Sequence, residues 1–136
     1  MSQALTDRLI NAIPYAKMLG IEALFSDDEL LLVLPYQKSN IGNPMLPALH
    51  GGAIGGLMEV CAMAELRRLS PELPFAKPIG INIDYLRRGK PVKTYARAVV
   101  FKKGSRVANV RVRAWQDSSE QPIAALSGHF LLPKKS

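Results

Sequence analysis

The stretch Gly51–Leu69 constrains the fold more than any other, because it is apolar on nearly every face of a helix. A helix without a polar face would expose apolar surface to water on every side, so the rest of the chain must cover it. Small alanines and glycines fill the positions between its larger apolar side chains. These larger residues are Ile54, Leu57, Met58, Val60, Cys61, Met63, Leu66 and Leu69.

Extended segments on both sides of this helix predict an antiparallel sheet. Apolar and polar residues alternate in them with the period of a strand, most clearly in Ile79–Tyr85. Clusters of glycine, proline and acidic residues separate the segments, as is typical of turns. Six strands are predicted, at Ile21–Ser26, Leu30–Tyr36, Ile79–Tyr85, Tyr95–Lys103, Arg106–Trp115 and Ile123–Leu132.

The connections indicate how these segments are joined. The acidic residues 27–29 link the first two strands into a hairpin, and Gly104-Ser105 links the fourth strand to the fifth. A dipeptide that begins with glycine suits a type II′ turn, because its first position needs a positive φ. Gln37–Leu49 is rich in asparagine, glycine and proline, so a long loop is expected there.

The whole chain, residues 1–136, is expected to form a single α+β domain. Residues 3–19 have apolar positions at helical spacing, interrupted by Pro14, which predicts a short N-terminal helix. A chain of 136 residues buries roughly two thirds of its unfolded surface, so a core forms without cross-links. The sequence thus predicts one buried helix among about six antiparallel strands.

The composition argues against several classes of protein. Cys61 is the only cysteine and there are two histidines, so neither a disulfide nor a metal site is expected. Asp7 and Arg8 fall where a signal peptide needs an apolar stretch. No uncharged apolar run reaches the roughly 18 residues that cross a bilayer. We therefore expect a cytoplasmic protein without a membrane partner.

The charge is unevenly distributed along the chain. Residues 1–66 contain three Lys or Arg against seven Asp or Glu, whereas residues 67–136 contain fifteen against four. Two explanations fit this excess of positive charge. Lys and Arg on the solvent-exposed face of a sheet keep the protein soluble, or they bind an anionic ligand. The cations are not regularly interleaved with aromatic residues, so no nucleic-acid partner is expected. A small molecule that carries phosphate fits the basic half as well.

Glu59 is the candidate catalytic residue on the apolar helix. The positions three and four residues away hold glycine, alanine and methionine, so no cation on the helix can pair with it. Glu65, in contrast, has Arg68 three residues on. An unpaired buried carboxylate is costly, so Glu59 either meets a remote arginine of the sheet or serves a function.

The start of the same helix offers a second chemical group. In His50-Gly51-Gly52, the first helical N–H groups and the positive end of the helix dipole can meet an oxyanion or a carbonyl oxygen. Gly51 and Glu59 lie roughly 12 Å apart along a helix, too far to touch one reacting carbon. If both act together, a second subunit must supply one of them. Gly55 and Gly56 would suit a close helix approach across a two-fold axis.

These residues resemble a known family. The segment from His50 to Glu59, with sequence HGGAIGGLME, is similar to the HGG…(D/E) helix of hotdog-fold acyl-CoA thioesterases of the PaaI-like type. Ile81–Arg88 resembles the family's Y-L-x-P strand, with Arg88 in place of the usual proline. The resemblance covers nearly the whole chain. It implies a hotdog fold, in which a six-stranded antiparallel sheet wraps around the long central helix.

The resemblance also implies roles for individual residues. Glu59 would be the general base or the nucleophile, the Gly51 N–H would polarise the thioester carbonyl, and His50 would shape the pocket. Family members place an Asn or Gln where Pro44 stands here, and Asn43 is its expected substitute. Some relatives carry a Ser or Thr hydroxyl seven residues before the strand tyrosine. Pro78 occupies that position here, so this hydroxyl is missing.

The implied function is hydrolysis of an acyl-CoA thioester by a homo-oligomer, a dimer or a dimer of dimers. Coenzyme A enters as part of the substrate, and no cofactor is expected. A 3-hydroxyacyl thioester dehydratase and a non-catalytic acyl-CoA binding protein are the alternatives. The substrate, and its phosphates in particular, is expected to bind at Gly52, Arg87, Arg88, Lys102, Lys103, Gly104, Ser105 and Arg106.

Overall fold

Within the residues that the structure describes, two helices and six strands form where the sequence patterns place them. The structure, a computed structural model, describes residues 9–10, 13–26, 29–35, 51–71 and 74–133. Its elements in chain order are α1 (Pro14–Leu19), β1 (Glu22–Ser26), β2 (Glu29–Leu34), α2 (Gly51–Leu69), β3 (Lys77–Tyr85), β4 (Thr94–Lys103), β5 (Val107–Trp115) and β6 (Ala124–Leu131).

The six strands form one sheet in the order β1-β2-β4-β5-β6-β3. Every neighbouring pair is antiparallel, so the prediction of a six-stranded antiparallel sheet is confirmed. The hairpin of β1 and β2 and that of β4 and β5 are confirmed as well. Strands β1 and β3 form the two edges of the sheet.

Helix α2 packs against the inner face of this sheet. Strand β5 shows why: Ala108, Val110 and Val112 are buried on the helix side, while Arg111 and Arg113 are exposed on the other. The α2 side chains are buried around nearly the whole circumference of the helix. The predicted central helix is therefore confirmed, and the α+β hotdog architecture follows from it.

The turn between β4 and β5 differs from the prediction. The Gly104 N–H donates to the Val107 carbonyl at 2.9 Å, which makes this pair the last of the ladder and leaves Ser105-Arg106 as the turn. Among the described glycines, a positive φ occurs at Gly20 alone. The type II′ assignment is therefore wrong. The observed turn differs because the pairing of β4 with β5 shifts by one residue between Val100 and Lys102, and this shift moves Gly104 out of the turn.

Helix α1 begins at Pro14 and ends before Gly20, whose φ of 74° forms a left-handed C-cap. Proline suits the first turn, because its missing N–H has no partner there in any helix. The rest of the predicted N-terminal helix and the loop Gln37–Leu49 lie outside the described residues, apart from Leu9, Ile10 and Ile13. Within the described ranges, no helix has the length and apolar character that a membrane span requires.

Candidate active site

Two tyrosines hold the first turn of α2. The Tyr85 hydroxyl, at the end of β3, donates to the Gly51 carbonyl at 2.9 Å. The Tyr15 hydroxyl, in α1, donates to the Gly52 carbonyl at 3.1 Å. Both rings and both glycines are exposed, so a ligand can reach this end of the helix from solvent.

The next turn of α2 carries Gly55 and Gly56, both buried beneath these tyrosines. A Cβ at Gly56 would lie 2.2 Å from a ring carbon of Tyr15, and a Cβ at Gly55 would lie 3.1 Å from the Tyr85 hydroxyl. Side chains of the same chain occupy the space beside these glycines, and the approach of a second helix across a two-fold axis stays a prediction. The glycines let α1 and β3 pack closely on α2.

Glu59 follows one turn after Gly55 and is half-buried. Gly55 also faces Ile83, whose Cδ1 would lie 3.3 Å from a Cβ there. Since residues four apart share a helix face, Glu59 lies on the side of α2 that is turned toward the edge strand β3.

No ion pair neutralises Glu59 within the described part of the chain. The carboxylates that do form ion pairs are Glu29, Glu65 and Asp117, with Arg97, Arg68 and Lys90 respectively. The remote arginine of the sheet, which was the structural explanation for Glu59, is thus not found among the described residues. The carboxylate is available to act on a ligand.

Gly51 and Glu59 belong to one uninterrupted 19-residue helix. Eight residues at about 1.5 Å each separate them by roughly 12 Å along its axis, so one chain cannot bring both to the same atom. His50 and Asn43, the other two predicted catalytic residues, lie outside the described residues.

The cations predicted to bind phosphate form two groups that the structure does not bring together. Arg87 and Arg88 follow β3, at the end of the sheet where Tyr85 meets Gly51. Residues 102–106 lie at the opposite end, where the Lys103 ammonium donates to Ser70, just beyond α2. Through the register of β3 with β6, β6 with β5 and β5 with β4, Tyr85 is level with Ala96, and the seven steps from Ala96 to Lys103 span roughly 23 Å. One chain therefore cannot place both groups on the same phosphate.

The segment that carries Arg87 and Arg88 is held firmly. The N–H groups of Leu86 and Arg87 donate to the Ile123 carbonyl at 2.8 and 3.1 Å. Arg87, Arg88 and Lys90 line a cavity of about 270 Å³. The end of the sheet near Gly51 thus presents exposed cations on a backbone that is held in place, with Asp117 beside Lys90.

Gln116 and Tyr15 form hydrogen bonds at the Gly51 end of the sheet. Neither residue was among the site residues predicted from the sequence. The Gln116 side-chain amide accepts from the Lys90 N–H at 3.0 Å and donates to the Lys90 carbonyl at 2.9 Å. It also donates to the buried Thr94 hydroxyl at 3.0 Å. Neither residue belongs to a motif, so only the fold reveals these contacts.

Cys61 is the other reactive residue type on α2, and it is fully buried. Burial raises the pKa of its thiol far above the ordinary range, and the Glu65 carboxylate raises this pKa further. A thiol that stays protonated is a poor nucleophile. Among the described residues, no group of acidic, cysteine or histidine side chains could hold a metal ion. Cys61 is therefore a poor candidate for the nucleophile, and Glu59 stays the carboxylate predicted from the sequence.

Comparisons with known proteins agree with this geometry. Residues 43–133 match the family described as acyl-CoA thioesterase N-terminal domain. A solved protein from Chromobacterium violaceum is 34% identical and covers 98% of this chain and 99% of its own, with a TM-score of 0.76. No curated protein matches the sequence.

Two more distant solved structures share the fold. A Bacillus halodurans protein solved with CoA is 20% identical over 99% of this chain and 88% of its own, with a TM-score of 0.80. A variant of the phenylacetic acid degradation protein PaaI from Thermus thermophilus is 20% identical over 87% of this chain and 97% of its own, with a TM-score of 0.72. The resemblance of the HGGAIGGLME helix is thereby confirmed: the chain belongs to the acyl-CoA thioesterase domain family and is an acyl-CoA thioesterase with the hotdog fold.

Proposed function

We propose that this thioesterase hydrolyses an acyl-CoA thioester to a free acid and CoA, with Glu59 as its catalytic carboxylate. The observation that carries the proposal is the unpaired, half-buried state of Glu59 on the helix face toward β3. A carboxylate that no described cation engages, among the buried apolar residues of α2, is kept at a cost in stability that catalysis explains.

In the proposed reaction, Glu59 acts as a general base or as a nucleophile. As a base it takes a proton from water, whose oxygen then bonds to the acyl carbon while the carbon–sulfur bond breaks. The sulfur leaves as the CoA thiolate and is protonated. As a nucleophile, its oxygen bonds to the acyl carbon and expels the CoA thiolate, and water then opens the resulting anhydride to the free acid and the Glu59 carboxylate.

The Gly51 N–H stabilises the oxyanion in this proposal. It lies in the first turn of α2, where the helix dipole favours negative charge and helical N–H groups have no partner within the helix. Donors fixed in advance at the developing charge make the largest single contribution to many enzymatic rates. His50 shapes the surrounding pocket and Asn43 supplies the side-chain amide that relatives carry one residue later.

Because Gly51 and Glu59 of one chain cannot meet at one atom, we propose that the site forms across a homodimer. The edge strand β3 suits this role: it has nine residues, most of them exposed, and Ile79 is 57% exposed. An open apolar edge of this length pairs readily with another strand. Antiparallel pairing of two β3 strands would extend the sheet and bring Glu59 of one chain toward the Gly51 turn of its partner.

Disrupting this edge tests the dimer. Ile79→Lys places like charges on both copies of the edge, so the variant should sediment as a monomer and lose most of its thioesterase activity. Phe25→Lys is the matched control, because Phe25 is also exposed on an edge strand but lies on β1, at the opposite edge of the sheet. A monomeric Ile79→Lys protein with wild-type turnover would contradict the shared site.

For the nucleotide end of CoA, we propose the exposed cations Arg87 and Arg88. They lie at the Gly51 end of the sheet, whereas Lys102, Lys103 and Arg106 can meet the same phosphates only from another subunit. The CoA in the Bacillus halodurans structure supports CoA as a ligand of this fold. Gly52, Gly104 and Ser105 remain proposed contacts of the substrate.

The reaction is tested by the release of free thiol from a panel of short, long and aromatic acyl-CoAs. We expect turnover of at least one of them, with the free acid as the second product. Binding of acyl-CoA without thiol release would indicate a non-catalytic binding protein. Formation of an enoyl thioester with the thioester intact would indicate a dehydratase.

A further inference from the structure

The outer face of the sheet, opposite α2, carries a cationic cavity that the proposed reaction does not use. We call it the outer arginine site and define it by Arg97, Arg111, Arg113, Val99, Phe101 and Trp115 on β4 and β5. The cavity has a volume of about 330 Å³, within the size range of small-molecule sites. None of the described residues that line it is acidic.

Two of the three arginines have no carboxylate partner among the described residues. Arg97 lies 3.0 Å from a Glu29 carboxylate oxygen, but Arg113 only donates to the Ser119 carbonyl, at 3.4 Å. Arg111 lies over the Phe101 ring, 4.2 Å from its centroid. Arg111 and Arg113 are two residues apart on one face of β5, roughly 7 Å along the strand. They repel each other unless an anion lies between them.

Apolar and aromatic surface lies directly beside these cations. Val99 and Phe101 are 54% and 59% exposed, an unusual amount for the solvent face of a sheet. Trp115 is half-buried and stacks on Tyr95 with ring centroids 6.0 Å apart. A flat apolar body could therefore cover this surface while its charged end reaches the arginines.

We propose that the outer arginine site binds the diphosphate and ring of a nucleoside diphosphate group. A single carboxylate satisfies one guanidinium, whereas the two phosphates of a diphosphate can reach both Arg111 and Arg113. A second copy of this chain is a poorer occupant, since two such faces would oppose arginines to arginines. Free nucleotides carry this group, and so does the nucleotide end of CoA.

Trp115 provides the measurement, because it is the only tryptophan of the chain and lines the cavity. We expect its fluorescence to respond saturably to ADP, and more weakly to pyrophosphate and to adenosine alone. Arg111→Ala/Arg113→Ala should weaken ADP binding at least tenfold. Lys17→Ala/Lys93→Ala, which removes the same charge at exposed positions outside the cavity, should leave ADP binding unchanged.

Titration with CoA then separates the two sources. Tighter binding of ADP than of CoA assigns the site to free nucleotides, and the reverse assigns it to CoA; either result supports the diphosphate site. The proposal is overturned if ADP gives no saturable response, or if Lys17→Ala/Lys93→Ala weakens ADP binding as much as Arg111→Ala/Arg113→Ala does. It is also overturned if Arg111→Ala/Arg113→Ala changes the oligomeric state without changing ADP affinity.

Discussion

The two halves of helix α2 each carry one half-buried glutamate, and the two carboxylates differ in their partners. Both oxygens of Glu65 accept from Arg68, at 2.6 Å from Nε and 3.1 Å from Nη2. Glu59, six residues earlier, forms no ion pair with a described residue and follows two glycines that are packed under tyrosines. The comparison teaches that one residue type on one helix can be structural in one half and available for chemistry in the other.

Substitution of Gly56 should have the largest effect on stability in the first half. Gly56→Ala places a Cβ 2.2 Å from the Tyr15 ring, so either the ring or the helix must move. We expect a loss of about 1 to 3 kcal/mol in unfolding free energy, measured by denaturant titration. Gly55→Ala is the matched control with a smaller loss, because its contacts begin at 3.1 Å.

The cause of that loss can be checked by removing the ring. If the Tyr15 contact is responsible, Gly56→Ala combined with Tyr15→Ala should be less destabilised than the sum of the two single changes. Strict additivity of the three measurements would show that Gly56 is needed for another reason.

In the second half, Glu65→Gln should have a smaller effect, confined to stability. The change removes the charge that holds Arg68, and since both side chains are partly exposed we expect a loss of about 1 kcal/mol. Activity per folded molecule should stay at the wild-type level. A thermal melt together with the thiol-release assay checks both, and a large loss of activity would break the distinction between the two glutamates.

The sequence was a good guide to the elements and a poor one to their contacts. The all-round apolar pattern of Gly51–Leu69 predicts a buried helix, because nothing else can satisfy such a surface. The alternation of apolar and polar residues similarly predicts β5, since one face of this strand is exposed to solvent. That Tyr15 and Tyr85 would cover Gly56 and Gly55 was not predictable, because these contacts join residues about 30 to 40 positions apart.

Some parts of the site could be predicted from the sequence and others could not. Glu59 could be selected because helix spacing alone shows which neighbours can pair with it. The separation of Arg87 and Arg88 from residues 102–106 was also within reach, since successive turns of an antiparallel sheet fall at opposite ends. The role of Gln116 could not be predicted, because its hydrogen bonds to Lys90 and Thr94 depend on how the segment after β3 crosses the sheet.

The measurement that tests the central claim most directly is the turnover of Glu59→Gln on the best acyl-CoA of the panel. The amide keeps the size of the side chain but cannot take a proton from water or attack a carbonyl. We expect turnover to fall by about 10²- to 10⁴-fold with melting temperature and oligomeric state unchanged. A well-folded Glu59→Gln protein with wild-type turnover would contradict the assignment of Glu59 as the catalytic carboxylate.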